Sequence, residues 1–376
     1  MKAVKKILKA ILCLFLVLIV IIGAYVLYVV CQYSRIEDNK NLDIHSGENS
    51  VAVNREVFKI MTYNIGFGAY TQDFSFFMDE GTMNDGTKVV GKDSRAKDKQ
   101  TVINNTNGAI ETVLAENPDF VFMQEVDTKS HRARNVNQVN MITSALPDCT
   151  YSFAENFHSA YLFYPVTNPH GKSNSGILTY SKFDVFSSVR RSFPVDNSFP
   201  AKFFDYDRCF VVSRLNLDGV RSGKQLVLIN VHMSAYDKGG KIRKKQLEML
   251  NSVLKEERDK GNYVVCGGDF NHDIAYAYAA EEGKDSLTYF ESEQKIPEWV
   301  YRLTDENLEE GFKFVASLNA PTCRSTDMPY KKGVNYSVVI DGFIVSDNIV
   351  VELSKNIDTD FKYSDHNPAM MIFSLA

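Results

Sequence analysis

Apolar residues in this chain fall into three kinds of run, and the first is the longest. Ala10 to Cys31 is apolar without a break and follows Lys2, Lys5, Lys6 and Lys9. About 22 such residues is the length that crosses a bilayer as a helix. Arg35 and Lys40 beyond it are balanced by Glu37 and Asp38, so the basic excess lies ahead of the run. The positive-inside rule then places the N-terminus in the cytoplasm and the remainder outside. A cleaved signal peptide has a shorter apolar region and a small-x-small cleavage site, and Tyr25 to Val30 offers nothing so small. Nor does Val29-Val30-Cys31 suit lipoprotein cleavage. The pattern predicts a basic N-terminus at 1–9, one membrane anchor at 10–31, a polar tether at 32–55 and a single folded domain at 56–376.

Runs of the second kind are short, rich in β-branched and aromatic residues, and bounded by polar ones, as buried strands are. Lys59 to Tyr63 runs into Asn64, Asp119 to Met123 into Gln124 and Glu125, and Gln225 to Ile229 into Asn230, Val231 and His232. Tyr263 to Cys266 stops at Gly267 and Gly268, and Asp269, Asn271, His272 and Asp273 follow at once. Ser337 to Ile340 runs into Asp341, and Ser364-Asp365-His366 stands just before Met370 to Leu375. Six times an apolar strand is bounded by a carboxylate, an amide or a histidine. Strands laid side by side would bring all these groups to one rim of a sheet. That convergence predicts one active site.

The third kind has helical spacing. Val102, Ala109, Ile110, Val113 and Leu114 form one face, closed by Asn117-Pro118-Asp119. Val136, Val139, Ile142 and Leu146 form a second, and Ile242, Met249, Leu250 and Val253 a third. Four further strands are expected at 151–157, 176–181, 185–193 and 209–217. Strands mixed with a few helices predict an α/β fold of sheet layers covered by helices. The stretch from Gly66 to Lys99 is a long connection, and its Phe74-Ser75-Phe76-Phe77-Met78 patch is expected to pack on the domain, with a lid or a lipid-dipping loop as the alternative.

Composition sets bounds. A net charge of −5 argues against a nucleic-acid coat, which is usually basic. Six widely spaced cysteines indicate neither a zinc module nor a disulfide framework. The oxygen-rich set of Glu125, Asp269, Asp365, Asn64 and Asn271 is instead what a hard divalent cation prefers, Mg²⁺ first and Mn²⁺ as an alternative. His232 and His366 can move protons between water and a leaving oxygen, and either Asp341 or Asp365 could fix the His366 tautomer. No Ser or Cys nucleophile motif is present, so direct attack by water is the simplest chemistry.

The ordered series Thr62-Tyr63-Asn64, Gln124-Glu125-Val126, Asn174-Ser175-Gly176, Asn230-Val231-His232, Gly268-Asp269-Phe270-Asn271, Ile340-Asp341-Gly342 and Ser364-Asp365-His366 resembles the signature of the endonuclease/exonuclease/phosphatase superfamily. The resemblance covers about residues 57–375. It implies a four-layer α/β sandwich, two packed mixed sheets flanked by helices, here behind one N-terminal transmembrane helix. It also implies Glu125 as main metal ligand with Asn64 beside it, and Asp365 supporting the metal or the histidine. Asp269 and Asn271 would hold the attacking water or phosphate oxygens. Asp341 would orient His366, and His232 resembles the second catalytic histidine of some branches. Asn174, Arg208 and Arg324 are assigned to the substrate phosphate, the arginines because guanidinium matches phosphate geometry. Gly342 departs from the resemblance, since an aromatic residue is common there.

The function expected from sequence is therefore a metal-dependent phosphodiesterase on the outer side of the cell membrane, held by a single span. Its substrate would be nucleic acid or a phospholipid headgroup, and no obligate protein partner is evident. A basic stripe for nucleic acid could come from Lys238 to Lys245, Lys331 with Lys332, or Arg132 with Arg134. The alternative is a non-catalytic binding module that keeps the fold.

Overall fold

A computed structural model describes residues 2–47, 53, 55–203, 205–235 and 240–376. Lys238, the first of the basic residues noted above, lies outside them. Five α-helices occur among the described residues: α1 (Lys2–Gln32), α2 (Lys99–Glu116), α3 (Gln138–Ala145), α4 (Lys241–Asp259) and α5 (Tyr276–Glu281).

Two large sheets carry the domain. The first runs Lys40–Asn41, Ser187–Ser192, Cys209–Asn216, Gln225–His232, Tyr263–Asp269, Asp341–Ser346, Phe312–Val315 in spatial order. The second runs Ile349–Asn356, Ala369–Leu375, Val57–Asn64, Phe120–Asp127, Asn174–Ser181, Thr150–His158. Each sheet has one parallel pair at its centre: Gln225–His232 with Tyr263–Asp269, and Val57–Asn64 with Phe120–Asp127. A parallel pair needs a crossover, and the helices expected from the 3.6-residue spacing, α4 and α2, supply them. Asp98 caps α2 by accepting from the Thr101 amide at 2.7 Å, and Asn117 closes it in the left-handed conformation.

Alternation along the strands makes the layers. One face of each sheet meets the other through Phe58, Ile60, Phe120, Phe122, Leu226, Leu228, Phe343 and Met371. The opposite face of the first sheet packs on α4 through Val227, Ile229, Leu250 and Leu254. That of the second packs on α2 and α3 through Met61, Tyr63, Val113, Met123 and Ile142. The result is helix, sheet, sheet, helix, the four-layer sandwich expected. Leu250 is fully buried, and truncation there to Ala would cost about 2–5 kcal/mol.

Two expectations are modified and one holds. Ser337 to Ile340 does not form the sheet strand that ends at Asp341. Asp341 instead opens the Asp341–Ser346 strand, antiparallel to Tyr263–Asp269 and paired Asp269 to Asp341. Reversing direction puts the head of one strand beside the tail of its neighbour, so Asp341 still reaches the rim. The Phe74 patch packs as expected, with Phe74 buried among Phe67, Tyr70 and Ala96. Lastly, the described part of the polar stretch 32–55 is laid along the domain and is not loose. Lys40–Asn41 extends the first sheet against Ser187–Ser192, His45 exchanges backbone hydrogen bonds with Tyr151, and the buried Arg190 donates to the Glu37 carbonyl at 3.1 Å. Polar composition hides this because an edge strand is held by its backbone.

Candidate active site

The strand ends meet at one rim, with Asp269 at the centre. Its Oδ2 accepts from the Asn64 side-chain amide at 2.9 Å and its Oδ1 from the Asn271 backbone at 2.8 Å. His232 Nε2 lies 3.6 Å and His366 Nε2 3.9 Å from Oδ2. Asn271 turns through a left-handed conformation (φ 52°) and donates to the Met233 carbonyl at 2.9 Å, which fixes it beside the His232 strand.

His366 is oriented by Asp341, whose Oδ2 lies 2.8 Å from Nδ1. Of the two carboxylates that sequence left open for this role, Asp341 fills it. Burial alone would lower the His366 pKa, but attraction from Asp341, Cys323 and Asp269 outweighs it and holds the imidazole well above its ordinary value. His232 goes the other way. Burial, then the charges of Arg208 and His366, push it well below the ordinary value, and Arg208 hydrogen-bonds its Nε2. One histidine is held cationic and the other neutral. Such a split is how a site separates proton-accepting from proton-donating groups.

Glu125 stands on a β-bulge. The Phe120–Asp127 strand loses register against Asn174–Ser181 between Met123 and Val126, and Glu125 takes φ 55°. A bulge of this kind re-aims a side chain. Only 17% of the Glu125 side chain is exposed, and its Oε1 lies 3.9 Å from His232 Nε2. No hydrogen bond reaches this carboxylate from the described residues. Burial pushes it up to about 7, and the nearby Asp365 adds to the effect. A recessed carboxylate without a donor, next to a second carboxylate, fits a divalent cation. Asp365 is itself raised, chiefly by burial, and its Oδ1 accepts from Ser364 at 3.2 Å. Asn64 uses Oδ1 to accept from Gly66 at 3.0 Å, leaving that oxygen a second lone pair. Gly66 has φ 51°, and a Cβ there would stand 2.8 Å from Asp365 Oδ1. Asp269, Asp341 and His366 also offer ligand atoms within 4.8 Å of one another.

The phosphate candidates divide. Arg208 lies at the site, against His232 and 4.3 Å above the Tyr206 ring. Asn174 begins the strand beside the Glu125 bulge, and its Oδ1 is buried without a partner. Arg324 donates to the carbonyls of Ser325 (3.2 Å) and Thr71 (3.1 Å), its Nε is buried without a partner among the described residues, and its charge favours ionised Asp365. Gln124 and Asn230 do not line the cleft. They bond one another at 2.8 Å and tie the sheets together. His272 and Asp273 also turn away, towards the Phe270 carbonyl and Ser286.

Sequence reasoning missed a buttress behind Glu125. Arg132 makes a buried two-pronged pair with Asp127 (2.9 and 2.8 Å) and donates to the Tyr206 hydroxyl at 2.6 Å. The Tyr206 ring stacks on Phe157 at 4.2 Å and meets His232 edge-on at 5.9 Å. Arg132 had been a candidate for a basic surface; its burial excludes that. Nothing in its sequence neighbourhood marks it as interior. Gly342 is explained by packing, since a Cβ would lie 2.6 Å from Ile274 Cδ1 and 2.7 Å from the Val315 carbonyl.

The sequence model described as Endonuclease/Exonuclease/phosphatase family matches residues 61–329. No curated protein sequence matches the chain. Among similar solved structures, an endonuclease/exonuclease/phosphatase from Beutenbergia cavernae aligns with TM-score 0.52 at 16% identity, covering 86% of this chain and 72% of that one. TDP2 from D. rerio, complexed with single-strand DNA product, gives 0.51 at 14%, covering 85% and 100%. The human Nocturnin catalytic domain with bound sulfate gives 0.50 at 13%, covering 89% and 97%. At these identities the likeness is one of fold.

Proposed function

The chain belongs to the endonuclease/exonuclease/phosphatase family, and from that premise we propose that it is a membrane-anchored, divalent-metal-dependent phosphodiesterase in which water displaces one ester oxygen from phosphorus. The observation that carries this reading is the position of the Asp269 carboxylate, bonded by Asn64 and Asn271 and within 4 Å of both histidines.

Glu125 and Asp365, with the amide oxygen of Asn64, would hold the cation, and oxygen donors of this kind suit Mg²⁺. When bound, that ion supplies positive charge to the phosphoryl oxygens. The remaining work belongs to the chain's own groups. In the hydrolysis an O–P bond forms to water, the P–O bond to the leaving group breaks, water loses a proton and the leaving oxygen gains one. Asp269, raised to about 6 chiefly by burial, is placed to orient the water and take its proton. His366, held cationic by Asp341, is the hydrogen-bond and proton donor. Arg208 adds a fixed positive charge beside neutral His232 for the phosphoryl oxygens.

The anchor is α1, which is long and apolar enough to cross a membrane and lies exposed over most of its length. The lysine excess before it supports an extracytoplasmic catalytic domain. Against a nucleic-acid substrate, Arg132 is buried, Arg134 donates to the Ala96 and Lys97 carbonyls, and Lys332 lies near Asp358 and Asp360. Of the described candidates for a basic stripe, these leave chiefly the exposed Lys241, Lys244 and Lys245 at the start of α4.

The test offers the full-length protein bis-p-nitrophenyl phosphate, plasmid DNA, RNA and lipid vesicles, with Mg²⁺ or EDTA and with His366→Ala as control. Turnover that requires both the metal and His366 supports the reading. Binding of Mg²⁺ without turnover of any substrate would favour the non-catalytic module.

A further inference from the structure

The end of α1 is bonded to one loop and packed on a second, and both lead into the cleft. The Tyr25 hydroxyl donates to the Tyr161 carbonyl at 3.1 Å, and the Tyr161 amide donates to the Tyr28 hydroxyl at 3.2 Å. Both backbone polar groups of Tyr161 are thus met by helix side chains. Tyr25 meets the Phe163 ring edge-on at 5.3 Å, Tyr33 meets Phe203 at 5.1 Å, and Val29 is buried against Ala160 and Phe203. Tyr25 lies six residues before Cys31, roughly 9 Å along the helix. If the apolar run spans a bilayer, the loop carrying Tyr161 and Phe163 reaches below its outer end. Backbone at that depth must be hydrogen-bonded, and that of Tyr161 is.

Around this junction lie apolar side chains that are largely exposed. Phe163 is 56% exposed, Tyr164 69%, Val166 82% and Phe199 69%. The Lys202 ammonium lies 5.1 Å from the rings of Tyr33 and Phe203. Aromatic residues with a lysine are the composition of a membrane–water interface. The patch is continuous with the helix that spans the membrane, which names its occupant.

The same loops lead into the cleft. Residues 159–173 end at Asn174, and 193–207 deliver Tyr206 and Arg208. Ring contacts run from Phe163 to Tyr161 (4.7 Å) and on to His131 (5.1 Å), the neighbour of Arg132. Arg132 bonds Tyr206, which meets His232.

We propose that the loops 159–166 and 196–203 form an interfacial collar that seats one rim of the cleft in the outer leaflet of the anchoring bilayer, and that the substrate is a phosphodiester in the headgroup of a lipid of that leaflet. This rests on the anchored phosphodiesterase reading above.

The test uses the full chain reconstituted in phosphatidylcholine and sphingomyelin vesicles. Tyr164→Trp and Phe199→Trp report depth through quenching by lipids brominated on their acyl chains, with wild-type Trp299 as background. The expected result is quenching of both introduced tryptophans well beyond that background. Absence of quenching overturns the collar whatever the enzyme does. In parallel, Tyr164→Ser combined with Val166→Ser and Phe199→Ser is compared with wild type on vesicle lipid and on soluble bis-p-nitrophenyl phosphate. The collar variant is expected to lose lipid turnover roughly tenfold while hydrolysing the soluble diester as wild type does. Equal loss on both substrates, or wild-type turnover of the soluble diester with none of lipid, overturns the lipid substrate. Turnover of neither by wild type, with quenching intact, overturns the phosphodiesterase reading and the substrate but leaves the collar standing.

Discussion

The side-chain amide of Asn64, at the end of a strand in one sheet, donates to the carboxylate of Asp269, at the end of a strand in the other, across 2.9 Å. The proposed metal-binding and water-binding halves of the site are therefore joined by a direct bond between the two layers. Asn64→Ala would remove this donor and also the acceptor of the Gly66 amide. Leaving such buried groups unpaired is expected to cost about 1–3 kcal/mol, read as a lower midpoint in urea. Turnover should fall further than stability, because Asp269 loses its fixed direction.

Asp341→Asn tests a second contact of the site, that of Asp341 with His366 Nδ1. An amide keeps the shape but cannot hold the imidazole cationic, so the His366 pKa is expected to fall. Turnover should drop by about 10²–10⁴ with little change in thermal midpoint. NMR titration of the imidazole would check the first statement. An unshifted His366 would show that Asp341 does not set its charge.

Glu125 gives a pH dependence. Burial raises it to about 7, so its charged form opposes folding in the metal-free protein. Without metal, stability should fall as pH rises from the ordinary glutamate range towards 7. Mg²⁺ reverses the sign, since it binds the ionised carboxylate and displaces the proton. Mg²⁺ at a hundred times its Kd should add about 2.7 kcal/mol, and this gain should shrink as pH falls below 7. Thermal melts with Mg²⁺ or EDTA from pH 6 to pH 8 would show it. Glu125→Gln should abolish the gain.

Arg132→Met leaves Asp127 as an uncompensated buried charge. Removing one partner of such a pair costs about 3–5 kcal/mol, so a large drop in thermal midpoint is expected. Asp127→Asn with Arg132→Met should recover part of it, because no lone charge then remains. A double-mutant cycle measures the coupling.

How far the chain could be read in advance follows from what each residue announces. Asp269, Asn64, Glu125, His232, Asp341 and His366 stand at the bounds of apolar runs, and a sheet brings run ends together, so their convergence was legible. The layers were legible for the same reason, since α2 and α4 keep a helical period between strands of period two. Arg132 and Tyr206 were not, because a buried charge looks like a surface one until its partner is placed, and Asp127 can be placed only once the strand is. The direction of the Asp341 strand was hidden because Ser337 to Ile340 is as apolar as a large-sheet strand, yet Ser337–Val338 pairs only with Cys323–Arg324 in a short ladder. Arg324 shows what residue type leaves open: the guanidinium suits phosphate, yet two of its donors are turned to the Ser325 and Thr71 carbonyls, which no sequence pattern announces.

If α1 anchors the chain in a bilayer as proposed, the edge strand Lys40–Asn41 has a kinetic meaning. A loose leash would let the domain sample a volume of solution above the membrane, and its encounter rate would follow bulk concentration. Paired to Arg190 and Val189, this leash has little slack. On the proposed bilayer substrate the search would become two-dimensional, with the rate set by how many substrate headgroups share each unit of surface. Dilution with inert lipid would then slow the enzyme even when the total amount of substrate in the tube is unchanged.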